Sequence, residues 1–268
     1  MTFKRFVFLM LIAAVGKFGA GPVESLGNAL ERVGSTYTPI FEYGMAYEIS
    51  GDAIVPAKIF IKKGDMFAQG TRAIVNAANE DLVGGGGVDA AVEDATKKYS
   101  GIDGIVSQHW KDGKPNDWKV GKAFLNTSKN MRIAFDHKNK KIVDKKTADA
   151  DPQNINVMEI IQAVGPQCGN GKPVPNTLSD AFFNSLAVAD ANGFRSIALP
   201  FISGGIFGCG TPEGAHLAII GVLDYLVQNN KNLREIHIGL FLDSHYSLFI
   251  NALKSISPKS YKIIEKKL

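Results

Sequence analysis

The segment that most constrains this chain is residues 74–89, IVNAANEDLVGGGGVD, where an apolar strand runs into a glycine-rich loop. The loop holds four consecutive glycines, and the aspartate after it begins a predicted helix. Consecutive glycines cost chain entropy, so we expect bare backbone to be needed there. A strand end, exposed N–H groups and a helix N-terminus are together typical of a phosphate or pyrophosphate site.

The composition is that of an ordinary globular protein. Of the 268 residues, 45% are hydrophobic and 21% are charged. A chain of this length can bury a sizeable core. The formal charge is +4, and without residues 1–20 it falls to +1, from 27 basic and 26 acidic residues. This balance does not favour nucleic acid as the main partner.

The first twenty residues are predicted to be a secretory signal peptide. Lys4 and Arg5 precede an apolar run at residues 6–15, which is long enough for a signal but too short to span a bilayer. We therefore expect an exported protein, periplasmic or secreted, with no stable membrane association after cleavage. If the signal is not cleaved, residues 6–15 anchor the protein to the membrane.

Cysteine usage leaves two alternatives open. The chain has two cysteines, Cys168 and Cys209, which an exported protein can pair in a disulfide or keep as free or buried thiols. Their spacing matches no zinc motif. We expect neither a metal nor a cofactor.

Apolar strand-like segments alternate with helical segments from Lys58 onward, which predicts one α/β domain with a mostly parallel sheet covered on both faces. The domain is placed at residues 57–257, with a basic insert around 129–156 that is predicted to be a surface hairpin. Residues 21–56 form an N-terminal extension of no assigned function. Residues 258–268 are predicted to be a basic, solvated tail.

A second glycine loop, SGGIFGCG, follows another buried strand at residues 203–210. The carboxyl ends of parallel strands lie at one edge of a sheet, so the two loops are expected to face each other across one cleft. Neither loop matches a P-loop or a G-x-G-x-x-G motif, and Ser203 is not in a nucleophile elbow. These mismatches disfavour nucleoside triphosphatases, dehydrogenases and serine hydrolases.

Four motifs now resemble one family. The first loop together with Gly64-Asp65, AVGP at 163–166 and ISGGIFG at 202–208 resembles the macro domain, the ADP-ribose-binding module, and most closely its MacroD-type branch. The resemblance covers roughly residues 58–256. It implies a three-layer α/β/α fold around a mixed, mostly parallel sheet. It also implies that the partner is ADP-ribose or a mono-ADP-ribosylated protein, bound by a monomer.

The resemblance assigns roles to individual residues. It implies that Asp65, with Met66 beside it, receives the adenine amino group and that Phe241 stacks on adenine. Asn79 is matched to the residue that hydrogen-bonds the distal ribose, and Phe207 to the ring packed against it. The diphosphate is assigned to the backbone of two stretches: Gly84, Gly85, Gly86, Gly87 and Val88, and Ser203, Gly204, Gly205, Ile206 and Phe207.

The candidate catalytic residues are Asp89, Asn79 and Glu93, of which the resemblance matches Asp89 and Asn79. Asp89 matches the acid that MacroD-type hydrolases use near the distal ribose. Glu93 stands where such enzymes commonly carry a histidine, one helical turn later and on the same face. Three roles are open for it: orienting a water, repelling Asp89 and so raising the pKa of Asp89, or marking lost catalysis. Gly204 is a further departure, since relatives usually have threonine there.

Two functions follow, and the sequence leaves both open. The first is hydrolysis of ester-linked ADP-ribose, either from acidic side chains or from O-acetyl-ADP-ribose, with Asp89 activating or orienting a water. The second is a module that reads ADP-ribose without cleaving it, which Glu93 favours. A third and weaker hypothesis, binding of RNA or poly-ADP-ribose, rests on the basic residues of 129–146.

Overall fold

The structure, a computed structural model, describes residues 41–51, 54–102, 106–128, 131–169, 176–256 and 262–267. The predicted signal peptide at residues 1–20 lies outside these residues, as does the part of the predicted extension before residue 41. Among the described residues, no helix has the length and apolar character needed to cross a membrane.

A mixed β-sheet forms the centre of the molecule. Its strands are β1 (Phe41–Gly51), β2 (Ile54–Gly64), β3 (Ala73–Ala78), β4 (Ala123–Leu125), β5 (Arg132–Asp136), β6 (Lys141–Val143), β7 (Ile155–Val164), β8 (Ser196–Leu199), β9 (Glu235–Leu240) and β10 (Lys262–Lys267). Their order is β10-β1-β2-β9-β8-β3-β7-β5-β6, with β4 also paired to β7. The central strands β2, β9, β8, β3 and β7 are parallel, and the outer pairings are antiparallel.

Helices cover both faces of this sheet. They are α1 (Val88–Ser100), α2 (Lys145–Ala150), α3 (Thr177–Ala191), α4 (Pro212–Gln228) and α5 (Asp243–Ser255), with short 3-10 turns at Met66–Gln69 and Val106–His109. Successive residues of a strand point to opposite faces. Accordingly, Val75 and Ile161 join the core beneath α3, α4 and α5, whereas Ile74 and Ile160 join the core beneath α1. The three-layer α/β/α prediction is confirmed.

The sheet extends beyond both ends of the predicted range 57–257. Strand β1 begins at Phe41, inside the predicted extension, and pairs along its length with β2. The tail predicted to be solvated contains β10, which lies antiparallel to β1 with Met45 opposite Lys267. A lysine-rich end predicts a solvated tail, yet lysine is also common on edge strands because it discourages further pairing.

The basic insert is a hairpin, as predicted, and it also contributes to the core. Strands β5 and β6 pair antiparallel, and β5 continues the sheet from β7. Ile133 and Phe135 are buried beneath α1, while the lysines at the turn are exposed. The insert therefore extends the sheet and exposes its charges at the turn.

Candidate ligand-binding and catalytic site

The two glycine loops meet at the carboxyl edge of the sheet, as the sequence predicts. The first loop follows β3 and the second follows β8, and these strands are parallel neighbours. The side chain of Ile206 reaches across to the first loop, so that a methyl group added to Gly86 would come within 2.9 Å of Ile206 Cδ1. The loops therefore form the opposing walls of one cleft.

The side chain of Asn79 is hydrogen-bonded to the backbone of the first loop. Its Nδ2 donates to the Val83 carbonyl at 2.6 Å, and its Oδ1 accepts from the Val83 N–H at 3.1 Å. Leu82, with a positive φ of 52°, is buried in the core beneath the loop. One Nδ2 hydrogen of Asn79 is left over for the sugar contact that the resemblance implies.

Asp89 lies in the first turn of α1 and is 4% exposed. Its Oδ1 accepts a 2.6 Å hydrogen bond from Asn76 Nδ2, and Asn76 also donates to Gln162 Oε1 at 2.8 Å. Burial raises the pKa of Asp89, and the nearby charge of Glu93 raises it further, against the opposing effect of hydrogen bonds from Asn76 and the Gly85 backbone. The fold thus holds a carboxylate that accepts a proton more readily than one in water.

Asn76 and Gln162 are the residues of this site that sequence reasoning missed. They lie on β3 and β7 at paired positions of the parallel register, and both are fully buried. A polar amide inside an apolar strand is the signal that could have identified them, because buried amides need hydrogen-bond partners. Here the partner of Asn76 is the carboxylate of Asp89.

Glu93 also faces the first loop, one turn of α1 beyond Asp89, as the helical spacing predicts. Its carboxylate occupies the space that a side chain at Gly84 would need. Glu93 and Gly84 line an open cavity of about 490 Å³. The other lining residues are Leu82, Val83, Gly85, Gln108 and Lys111.

Backbone N–H groups in both loops are available to a ligand. None of the hydrogen bonds among the described residues uses the N–H groups of Gly84, Gly86, Gly87, Gly205, Ile206 or Phe207. Gly204 differs, since its N–H donates to the Phe201 carbonyl at 2.9 Å. Unused N–H groups on two facing loops form an anion-binding concavity that needs no basic side chain.

A disulfide between Cys168 and Cys209 holds the second loop and settles the open question of their state. The Cα atoms of the pair are 5.2 Å apart. The Cys168 N–H donates to the Phe207 carbonyl at 2.7 Å, and the Cys209 N–H donates to the Ser203 carbonyl at 2.9 Å. The disulfide therefore ties the loop to the segment that follows β7.

The residues assigned to adenine lie together at the other end of the cleft. Asp65 Oδ1 accepts from the Phe67 N–H at 2.8 Å, which leaves Oδ2 open. Met66 is buried against Gly239 of β9. Phe241 follows directly after β9 and is 83% exposed, so the face of its ring is free for stacking.

Known proteins identify the family. The sequence model of the macro domain matches residues 119–218. A macro domain-containing protein of Caldanaerobacter subterraneus subsp. tengcongensis is 30% identical over 200 residues, which are 74% of this chain and 97% of that protein. The O-acetyl-ADP-ribose deacetylase of Citrobacter koseri is 30% identical over 174 residues, 65% of this chain and 82% of the relative.

The fold comparison agrees. The solved macrodomain of Oceanobacillus iheyensis with ADP has a TM-score of 0.53 at 24% sequence identity, covering 78% of this chain and 96% of that one. The chain belongs to the macro domain family, in its MacroD-type branch.

Proposed function

We propose that this protein binds ADP-ribose and hydrolyses ester-linked mono-ADP-ribose, from acidic side chains or from O-acetyl-ADP-ribose. The observation that carries the proposal is the buried carboxylate of Asp89, held by Asn76 beside two loops with unused N–H groups. Relatives named O-acetyl-ADP-ribose deacetylase support the same reaction class.

In the proposed complex the diphosphate lies between the loops and receives their N–H groups. Adenine then lies at Asp65 and Phe241, and the distal ribose lies toward Asn79 and Asp89. This orientation agrees with electrostatics, because the loops offer partial positive charge while Asp89 would repel a phosphate. The binding energy of the diphosphate and adenine positions the reacting ester.

The proposed chemical step is general-base hydrolysis. Asp89 takes a proton from a water as that water attacks the carbonyl carbon of the ester. The bond between this carbon and the ribose oxygen breaks, and the ribose oxygen receives the proton from Asp89. The products are a carboxylic acid and ADP-ribose with a free hydroxyl. A raised pKa suits Asp89 to this task, since a general base works best when its pKa is near the operating pH.

The alternative is an ADP-ribose reader that does not cleave its ligand. The observation that favours it is Glu93, whose negative charge lies close enough to raise the pKa of Asp89. A second carboxylate beside the base disfavours the build-up of negative charge in the transition state. Both functions use the same binding cleft.

Two measurements test the proposal. Calorimetry with ADP-ribose reports binding, and absence of binding at millimolar ligand rejects both functions. Release of label from an acceptor carrying ADP-ribose on acidic side chains reports hydrolysis. We expect Asp89→Asn to reduce release by 100-fold or more, on the order of a lost general base, while ADP-ribose still binds.

The matched control for this assay is Asp94→Asn, an exposed carboxylate on the same helix. It should keep full activity. Binding of ADP-ribose without any release by the native protein identifies the reader function instead.

We also propose export, with cleavage of the signal at residues 1–20. The disulfide between Cys168 and Cys209 supports it, because such bonds persist in oxidising compartments. Mass spectrometry of the protein recovered from periplasm or medium should show a chain lacking these residues. Recovery of the full-length chain from cytosol alone rejects export.

A further inference from the structure

We infer that the cavity beside the first glycine loop receives the polypeptide acceptor of the substrate, with Lys111 as its charged contact. The inference deepens the proposed function and rests on it. It assigns to this cavity the residues that flank the modified side chain, a contact that the ADP-ribose cleft does not supply.

The cavity adjoins the reacting position. Gly85 and Glu93 line it. Gly85 also touches the base, since a methyl group added there would come within 2.9 Å of Asp89 Oδ2. A methyl group added to Gly86, in contrast, would meet Ile206 of the second loop. The first loop thus presents one side to the diphosphate cleft and another to the cavity, with Asp89 at their junction.

The size of the cavity favours a polypeptide. An acetyl group has three heavy atoms and is comparable to two water molecules, roughly 60 Å³ at about 30 Å³ each. The cavity measures about 490 Å³ and opens to solvent. A peptide side chain with its flanking backbone uses this space, whereas an acetyl group leaves most of it to water.

The lining chemistry suits an acidic acceptor. Lys111 is exposed, and no ion pair among the described residues engages its ammonium group. Gln108 offers an amide donor and acceptor beside it. The acceptor becomes a carboxylate when the ester is cleaved, and acidic residues around it carry the same charge. Glu93, which also lines the cavity, is available to accept from backbone N–H groups of the peptide.

The test compares two ligands by calorimetry: free ADP-ribose, and an acidic peptide whose glutamate carries ADP-ribose through an amide in place of the ester. The amide linkage prevents turnover, so the test applies to a hydrolase and to a reader. The variants are Lys111→Gln, Lys111→Arg and the control Lys114→Gln. Lys114 is an exposed lysine three residues away that does not line the cavity.

We expect the native protein to bind the conjugate more tightly than free ADP-ribose. Lys111→Gln should weaken conjugate binding about three- to fivefold, as for one exposed ion pair, with ADP-ribose binding unchanged. Lys111→Arg and Lys114→Gln should match the native protein. The native preference should shrink as salt is raised.

Three results overturn the inference while leaving the proposed function intact. They are equal binding of both ligands by the native protein, an equal loss for both ligands in Lys111→Gln, and an equal effect of Lys114→Gln. If the native protein binds neither ligand, the proposed function fails and the inference fails with it.

Discussion

At the scale of single residues, the defining feature of the site is a carboxylate that burial makes harder to ionise. Asp89 keeps hydrogen bonds from Asn76 and Gly85, yet burial outweighs them and raises its pKa above the ordinary 3.8. In the unfolded chain Asp89 has the ordinary pKa of 3.8, and in the folded protein its pKa is higher. Stability is therefore lost as pH rises from the unfolded-state pKa through the folded-state pKa, because the unfolded chain then ionises more readily than the folded one.

This linkage predicts that Asp89→Asn stabilises the protein at neutral pH. Asparagine has the same shape, carries no charge and can still accept from Asn76 through its Oδ1, although it loses the hydrogen bond from the Gly85 N–H, whose effect on Asp89 is smaller than that of burial. We expect a higher Tm than native at pH 7, by about 2–4 °C for each kcal/mol gained. The difference should shrink as pH falls toward 3.8. Thermal unfolding between pH 4 and pH 8 measures it, and a lower Tm for Asp89→Asn at pH 7 contradicts the prediction.

Glu93→Gln should shift the pH dependence of hydrolysis. The charge of Glu93 raises the pKa of Asp89, so its removal lowers that pKa. Because Asp89 accepts a proton only when ionised, the acid limb of kcat/KM should move to lower pH. Glu80→Gln removes a charge from an exposed part of the same loop and should leave the limb in place. If the acid limb of Glu93→Gln stays in place or moves to higher pH, Asp89 is not the general base whose ionisation sets that limb.

At the scale of elements, the loops depend on backbone conformations that the local sequence supplies. Gly87 immediately precedes α1 with φ 65° and ψ −127°, a combination that side chains rarely tolerate. A Cβ there would meet nothing within 4 Å, so any cost of substitution comes from the backbone alone. Substitution of Gly87 therefore tests backbone strain alone, whereas a Cβ at any of the other three glycines of the motif would also meet a neighbouring side chain.

Gly87→Ala should lower the free energy of unfolding by about 1–3 kcal/mol, the typical cost of such strain, and weaken ADP-ribose binding. Gly169→Ala is the control, because a Cβ there also meets nothing within 4 Å and its φ is not positive. Urea unfolding and calorimetry measure the two effects. Equal stability of both variants would mean that the loop relaxes without strain.

The disulfide should stabilise the fold and the second loop together. It joins residues 41 positions apart, for which loop closure contributes about 2–4 kcal/mol. We expect Cys168→Ser with Cys209→Ser to lose about this amount in urea unfolding and to bind ADP-ribose more weakly. Reduction of the disulfide in the native protein should cause the same two losses, and reductant should leave the double variant unchanged. Native affinity in the reduced protein argues against a role for the disulfide in holding the loop.

At the scale of the whole molecule, the two ends of the described chain meet in one antiparallel pair. Removal of residues 257–268 takes away β10 and exposes the edge of β1. We expect a loss of at least about 1 kcal/mol, the value of one backbone hydrogen bond, and a stronger tendency to associate. A chain lacking only residue 268 keeps β10 and is the control. Thermal unfolding measures the loss of stability, and light scattering measures association. If the chain lacking residues 257–268 matches the native protein in both, β10 is dispensable.

The loops were predictable because their signals are local. A strand, a glycine run and a helix start are written in consecutive residues, and this holds for both loops. The outer strands were not predictable in the same way. The partner of Met45 is Lys267, far away in the chain, and a lysine-rich segment looks alike whether it pairs or not. The predicted boundaries of the domain were therefore too narrow.

The sequence alone determined the family, the central α/β order and the residues of both loops, because short motifs carry the backbone conformation that a phosphate site needs. The tertiary structure alone decided what surrounds them. It brought Asn76 and Gln162 to Asp89, paired Cys168 with Cys209, and opened a cavity at Lys111. These are contacts between segments distant in the chain, and burial and hydrogen bonding act on what is close in space.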